Sequence, residues 1–205
     1  MNKKKRLNIL SLLLVAAFSM LGLLASAVLI LNSVKTPITV ITGSASGIYS
    51  SESLSCDEYK IRGLDEAYSA KVTVYGSRRD VGTSQNLADV RIYDSLGIDV
   101  TFLFEIEFEY GELTVNPAKL VIRSDSAERK YNGEGLEKKT YSIVEGEICD
   151  DETISAVFSG SQTRIGRSDN VFHAEIYRIG SDGSRSLINE NYILEYQYGY
   201  LKVTP

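Results

Sequence analysis

The chain is poor in the residues on which most catalytic and cysteine-built proteins rely. Its 205 residues include two cysteines, three prolines, one histidine and no tryptophan. Cys56 and Cys149 are too few for a disulfide scaffold or a cysteine-rich metal site. They sit at different positions of the two repeats described below, so they are not a repeated intradomain disulfide. A single histidine, His173, gives multi-histidine metal binding and Ser/His/Asp chemistry little to draw on, so a structural role is expected for it. Acidic residues are missing from the start, the first being Glu52, whereas Lys3, Lys4, Lys5 and Arg6 stand at the N-terminus. Setting those four aside leaves 18 basic against 27 acidic residues. A body that acidic is a poor partner for nucleic acid, whose binding rests on Lys and Arg neutralising phosphates.

What is present first is a run from Ile9 to Leu31 without a charge. At about 1.5 Å per residue a helix of that length spans a bilayer core of roughly 30 Å. Residues 1–8 then form a basic cytoplasmic segment, and residues 9–31 a transmembrane signal-anchor with the remainder outside. A cleaved signal peptide is the competing reading, with Ala25-Ser26-Ala27 as its small-residue site. Val28 to Leu31 continue the apolar run beyond that site, which suits an uncut anchor better.

The remainder is a repeat. Pro37, Pro117 and Pro205 mark a start, a joint and an end, where proline's missing donor is tolerated. Between them GSRRDVGTSQN (Gly76 to Asn86) matches GSQTRIGRSDN (Gly160 to Asn170), and FEIEFEYGELTVNP (Phe104 to Pro117) matches YILEYQYGYLKVTP (Tyr192 to Pro205). The offset grows from 82 at Thr39/Val121 to 84 at Gly76/Gly160 and 88 at Phe104/Tyr192, placing insertions in loops. Domains are therefore expected at 38–117 and 119–205.

Periodicity predicts strands throughout. Phe104, Ile106, Phe108 and Tyr110 alternate with Glu105, Glu107 and Glu109, one apolar face and one acidic. Further strands are expected at 38–42, 58–62, 70–75 and 88–93, and at 119–123, 140–144, 153–158 and 171–178. Gly111 and Gly199 are expected to turn the last two strands of each copy into a closing hairpin. Asp65 to Ala70 is the nearest approach to a helix and is too short to stand alone. The fold class is all-β: two tandem antiparallel modules, immunoglobulin-like sandwiches favoured over a β-grasp-like alternative, after an N-terminal helix.

Tyr131-Asn132-Gly133, the GSQTRIGRSDN loop with Gly160, Gly166 and Asn170, Asp182-Gly183, and the ending from Asn191-Tyr192 through Gly199 come in an order that resembles a known family. It is similar to the tandem MBG/YDG-type modules of Gram-positive surface and adhesin-like proteins. The first copy keeps Gly76, Gly82, Asn86 and Gly111 but departs at Ile48-Tyr49-Ser50-Ser51 and at Arg78-Arg79. The resemblance implies a surface-exposed spacer or adhesion module, with cell wall, host protein or glycan as partner. It brings no catalytic residues, no cofactor and no metal.

Three groups invite sharper readings. The row Glu105, Glu107 and Glu109 projects from one strand face, which fits a solvated surface rather than carboxylates opposed across a cleft. Cys149-Asp150-Asp151-Glu152 lacks the alternating donors and turning glycine of a calcium loop. The tyrosines of the final strands, Tyr192, Tyr196, Tyr198 and Tyr200, fit core packing more readily than a sugar-stacking platform. Gly82, Gly166, Asn86 and Asn170 fit turn chemistry. The expected function is a cell-surface structural or adhesion-type protein. The rival readings are a ligand- or partner-binding envelope component and, well behind, an envelope hydrolase.

Overall fold

The computed structural model describes residues 35–205. The basic segment 1–8 and the membrane helix 9–31 lie outside the described residues. Among the described residues no helix is long and apolar enough to cross a membrane.

The described chain is all-β, arranged as small sheets with two 3-10 turns. The first repeat supplies β1 (Thr36–Thr42), β2 (Ala45–Ile48), β3 (Tyr59–Arg62), β4 (Ser69–Val74), β5 (Gly82–Gln85), β6 (Ala88–Tyr93), β7 (Phe104–Glu109) and β8 (Glu112–Asn116). The second supplies β9 (Ala118–Ser124), β10 (Ala127–Lys130), β11 (Tyr141–Glu145), β12 (Glu152–Phe158), β13 (Gly166–Asp169), β14 (Phe172–Ile179), β15 (Arg185–Leu187), β16 (Tyr192–Gln197) and β17 (Tyr200–Thr204).

Topology repeats with the sequence. Sheets β3-β1-β7 and β11-β9-β16 each place the first strand between an antiparallel and a parallel neighbour. Sheets β2-β8-β5 and β10-β17-β13 do the same around the last strand. The remaining sheets are β4-β6 and β12-β14-β15.

By packing, the chain forms two compact units. Unit 1 comprises the described part of Met1–Thr42 with Tyr59–Val74 and Ala88–Tyr110. Its core joins Ile38 and Val40 of β1 to Val90 and Ile92 of β6 and to Phe104. Alternation along β6, with Ala88, Val90 and Ile92 buried and the residues between them exposed, is what a sheet with one covered face requires. Unit 2 comprises Gly43–Glu58, Tyr75–Leu87 and Gly111–Pro205, so it takes the small sheet β2-β8-β5 from the first repeat. Leu120, Ile122, Phe172, Ala174, Ile176 and Tyr192 form its main core, with Tyr49 and Val115 of the first repeat built in. Leu136, Leu201 and Val203 form a satellite core under β10-β17-β13.

The expected closing hairpins are not formed. β7 lies parallel to β1, whereas β8 pairs with β2 and β5; likewise β16 lies beside β9, and β17 beside β10 and β13. The glycine between them is a crossing from one sheet to another. At Gly199 a Cβ would stand 2.4 Å from the Ser124 carbonyl oxygen, so the site serves close backbone passage. Residues 65–70, the nearest approach to a helix, form a turn and the start of β4.

The crossing is held by one side chain per repeat. Asn170 Nδ2 donates to the carbonyls of Asp125 (2.9 Å) and Lys138 (2.8 Å), and its backbone N–H donates to Gly199 (2.8 Å). Asn86 repeats this with Gly43 (3.0 Å), Cys56 (2.7 Å) and Gly111 (2.8 Å). Both asparagines are fully buried. A buried carbonyl left without a donor costs about 1–3 kcal/mol. Asn170→Ala should therefore lower stability by about 2 kcal/mol. Urea unfolding of the variant checks this, and a loss under about 0.5 kcal/mol would contradict the clamp.

Candidate functional site

Within unit 2 the small sheet of the first repeat meets the sheets of the second through a polar and aromatic network. It begins at Glu152, the first residue of β12, which is 8 % exposed. One of its oxygens accepts from the Tyr49 hydroxyl, the other from the Tyr192 hydroxyl at 2.5 Å and from the Cys149 backbone N–H at 3.2 Å. The Tyr49 and Tyr192 rings pack edge to face with centroids 5.3 Å apart. The carboxylate is thereby satisfied from both repeats, as a buried polar group must be.

Arg178 on β14 extends the network. It donates to the Tyr49 hydroxyl at 2.7 Å and, through two nitrogens, to Asp80 at 2.5 and 3.1 Å. Asn191 also donates to Asp80 (2.8 Å) and accepts from the Val81 backbone N–H (2.9 Å). Beside this, Arg79 grips both oxygens of Asp151 at 2.7 and 2.8 Å. These bidentate forks fix direction as well as distance.

The two kinds of interaction have different weights. The arginine–aspartate pairs are partly solvated, with Arg178 22 % and Asp80 48 % exposed, so each adds little net stability. The apolar residues that this region draws from the first repeat, Tyr49, Val115, Leu54 and Val81, supply the adhesion. Burying one such side chain fully contributes about 1.5–3 kcal/mol. The polar network determines which register that burial takes.

Titration follows from the geometry. Burial, then the hydrogen bond to Glu152, pushes the Tyr49 hydroxyl up to about 12, and Tyr192 is raised for the same reasons. The Arg178 guanidinium holds Asp80 below the usual carboxylate range, and Arg79 does so for Asp151.

Cys149, Asp151 and Glu152 are the three ligand-type side chains whose atoms converge within 4.8 Å among the described residues. The oxygens of both carboxylates already accept from Arg79, Tyr49 and Tyr192, so this donor set belongs to the joint and does not fit a cation. Next to it lies a groove of about 400 Å³ walled by Ile48, Tyr49, Lys119, Ile148, Asp150 and Tyr192.

The repeat-signature residues fall into five roles. Gly82 (φ 123°) and Gly166 (φ 143°) open β5 and β13 in a conformation that disfavours side chains. Gly76 and Gly160 pass so close to Asn86 and Asn170 that a Cβ would lie 2.6 and 2.9 Å from the asparagine Cα atoms. Asn86, Asn170, Gly111 and Gly199 make the crossing; the asparagines reach across the chain instead of forming local turns. Tyr131, Asn132 and Gly133 make an exposed turn, with Gly133 at φ 84° and the Glu134 N–H bonded to the Asn132 side chain. Of the residues that carry the resemblance, Asn191 and Tyr192 enter the joint.

The remaining residues of interest are distributed over both repeats. Glu105, Glu107 and Glu109 are exposed on β7. His173 is an exposed residue of β14. Cys56 and Cys149 are free, half-buried thiols. The final tyrosines divide: Tyr192 is buried, Tyr196 packs edge-on against Phe172, Tyr198 is exposed, and Tyr200 lies under Arg167 at 4.2 Å.

Asp80 and Arg178 are residues that the sequence did not single out, and Asn191 stood out there only as part of the closing segment. Their signal is disagreement between the copies, which have Arg164, Asp94 and Leu103 at the matching positions. Compared with known proteins, the chain matches no family model and no curated protein.

Two outcomes follow. Arg178→Ala, which leaves Asp80 with Asn191 as its donor and removes a donor from Tyr49, should cost about 1 kcal/mol in urea unfolding, against under about 0.5 kcal/mol for an exposed control such as Arg123→Ala. Stability should also decline at both ends of the pH scale. The lowered Asp80 and Asp151 contribute stability above about pH 4 that is lost as pH falls through their folded values. The raised Tyr49 contributes stability below about pH 10 that is lost as pH rises towards 12. In Tyr49→Phe the alkaline decline should be shallower, and an unchanged alkaline limb would refute the assignment.

Proposed function

We propose that the chain is a cell-surface structural or adhesion-type protein, not an enzyme. Its two repeats, read as sandwiches of the immunoglobulin-like class, serve as a spacer or binding stalk outside the cell membrane. Residues 9–31 act as the anchor, and the MBG/YDG-type resemblance supplies the surface setting. The observation that carries the reading is the joint around Glu152. The small-sheet portion of the first repeat is bonded into one compact unit with the second repeat by two arginine forks and a shared carboxylate, where a flexible linker would have needed none of these. Such a joint suits a protein whose purpose is to hold a position.

The groove beside Tyr49 and Tyr192 favours a second reading, a ligand- or partner-binding component of the envelope. Two experiments test the first reading and separate it from the second. A C-terminal epitope tag on intact cells should be accessible to antibody and removable by external protease; a protected tag would overturn surface display. The full chain in lipid nanodiscs should show no enrichment on a glycan array. Selective binding that Tyr192→Ala abolishes would replace the spacer with the binding reading.

A further inference from the structure

The end of each repeat body where its first strand enters differs sharply between the two copies. Strand registers fix the correspondence: Val72 pairs with Val90 as Ala156 pairs with Ala174, and Thr36 with Phe104 as Ala118 with Tyr192. In unit 2 this entry pole carries Asp151, Glu152, Arg178, Glu190, Asn191 and Tyr192; four of them hydrogen-bond to Tyr49 or to Arg79–Val81, which flank the small sheet of the first repeat, and Tyr192 packs edge-on against Tyr49. In unit 1 the same positions are Ala67, Tyr68, Asp94, Phe102, Leu103 and Phe104. Four of the five partners that hold a small sheet in unit 2 (Asp151, Glu152, Asn191 and Tyr192) are thus apolar or aromatic here, and only Asp94 carries a charge.

The pole is also exposed. Leu96 is 81 %, Ile98 57 % and Phe102 67 % accessible, all in the segment joining β6 to β7. The two carboxylates of that segment are occupied locally. Asp94 accepts from the Leu96 and Ile98 backbone N–H groups at 2.9 Å, and Asp99 binds Arg91 at 3.1 Å and Thr101 at 2.6 Å. Phe102, in the 3-10 turn Thr101–Leu103, sits two residues before the partner of Thr36, where β1 begins.

The neighbour of this pole is given by the chain itself. The uncharged run ends at Leu31, five residues before Thr36, which keeps the start of β1 within about 17 Å of that run's end even when fully extended. We infer that the entry pole of unit 1 is a lipid-contacting surface, with Leu96, Ile98 and Phe102 seated in the headgroup region of the bilayer that residues 9–31 cross. This rests on the anchor reading above. Partial burial of aromatic and aliphatic tips at that depth is favourable, and Phe102 and Leu96 are suited to it. The same pole that accepts a small sheet in the second repeat accepts a membrane in the first.

The absence of tryptophan makes the test clean, since one introduced indole is the only one in the chain. The full chain is reconstituted into phosphatidylcholine vesicles with and without brominated acyl chains, carrying Phe102→Trp, or Leu96→Trp as a second exposed site. Tyr59→Trp is the control, because Tyr59 pairs with Thr42 at the opposite end of β1. The F102W and L96W emissions should shift to the blue and be quenched roughly threefold more strongly than that of Y59W, as expected for side chains at the interface. A chain that carbonate removes from the vesicles sinks the anchor reading, and the inference with it. A chain that resists carbonate but leaves F102W and L96W unquenched, or quenched no more than Y59W, overturns the inference alone.

Discussion

The buried asparagine of each repeat is the constraint on which the remaining architecture depends. Asn86 joins Gly43, Cys56 and Gly111, and Asn170 joins Asp125, Lys138 and Gly199. These are the points where the chain leaves one sheet for another. A planar amide with two donors satisfies two carbonyls at once and has no apolar substitute of the same shape. Without it, four backbone segments would meet in the interior with their polar groups unpaired, which folded proteins avoid. The clamp therefore divides each repeat into a main body and a small sheet. Because the small sheet is separate, the one from the first repeat can pack with the second.

Much of this was legible in the sequence, and what was not has a physical cause. Alternation marked the strands because one face of each is covered: β6 reads buried and exposed in turn, and β7 shows the same with its glutamates outward. Repeat matching also found the clamp residues, although their turn-like composition concealed their long reach. Strand partners were not legible. Gly111 and Gly199 look like hairpin turns, since glycine permits a tight reversal and close passage equally well. Only the register, in which β7 lies along β1, distinguishes them.

The joint was hidden for a different reason. Repeat matching rewards agreement, and the joint is made of disagreements. Glu152 stands where the first copy has Tyr68, and Arg178 where it has Asp94. A surface that must bind one neighbour and not another has to differ between copies, so its residues are those that a repeat alignment passes over. Cys149-Asp150-Asp151-Glu152 attracted notice as an acidic loop, yet two of its carboxylates are engaged with Arg79, Tyr49 and Tyr192.

The parallel pairing of β9 with β16 carries a mechanical consequence. Six residue pairs, from Ala118 with Tyr192 to Ile122 with Tyr196 and Arg123 with Gln197, run side by side in the same direction. A pull on the chain before Ala118 and after Gln197 drags these strands past one another along their length. The hydrogen bonds between them are then loaded in shear and must give way together, whereas an antiparallel hairpin pulled at its open end parts one rung at a time. The β1–β7 pairing repeats this geometry in unit 1. Each repeat body thus resists tension along the direction in which its chain enters and leaves.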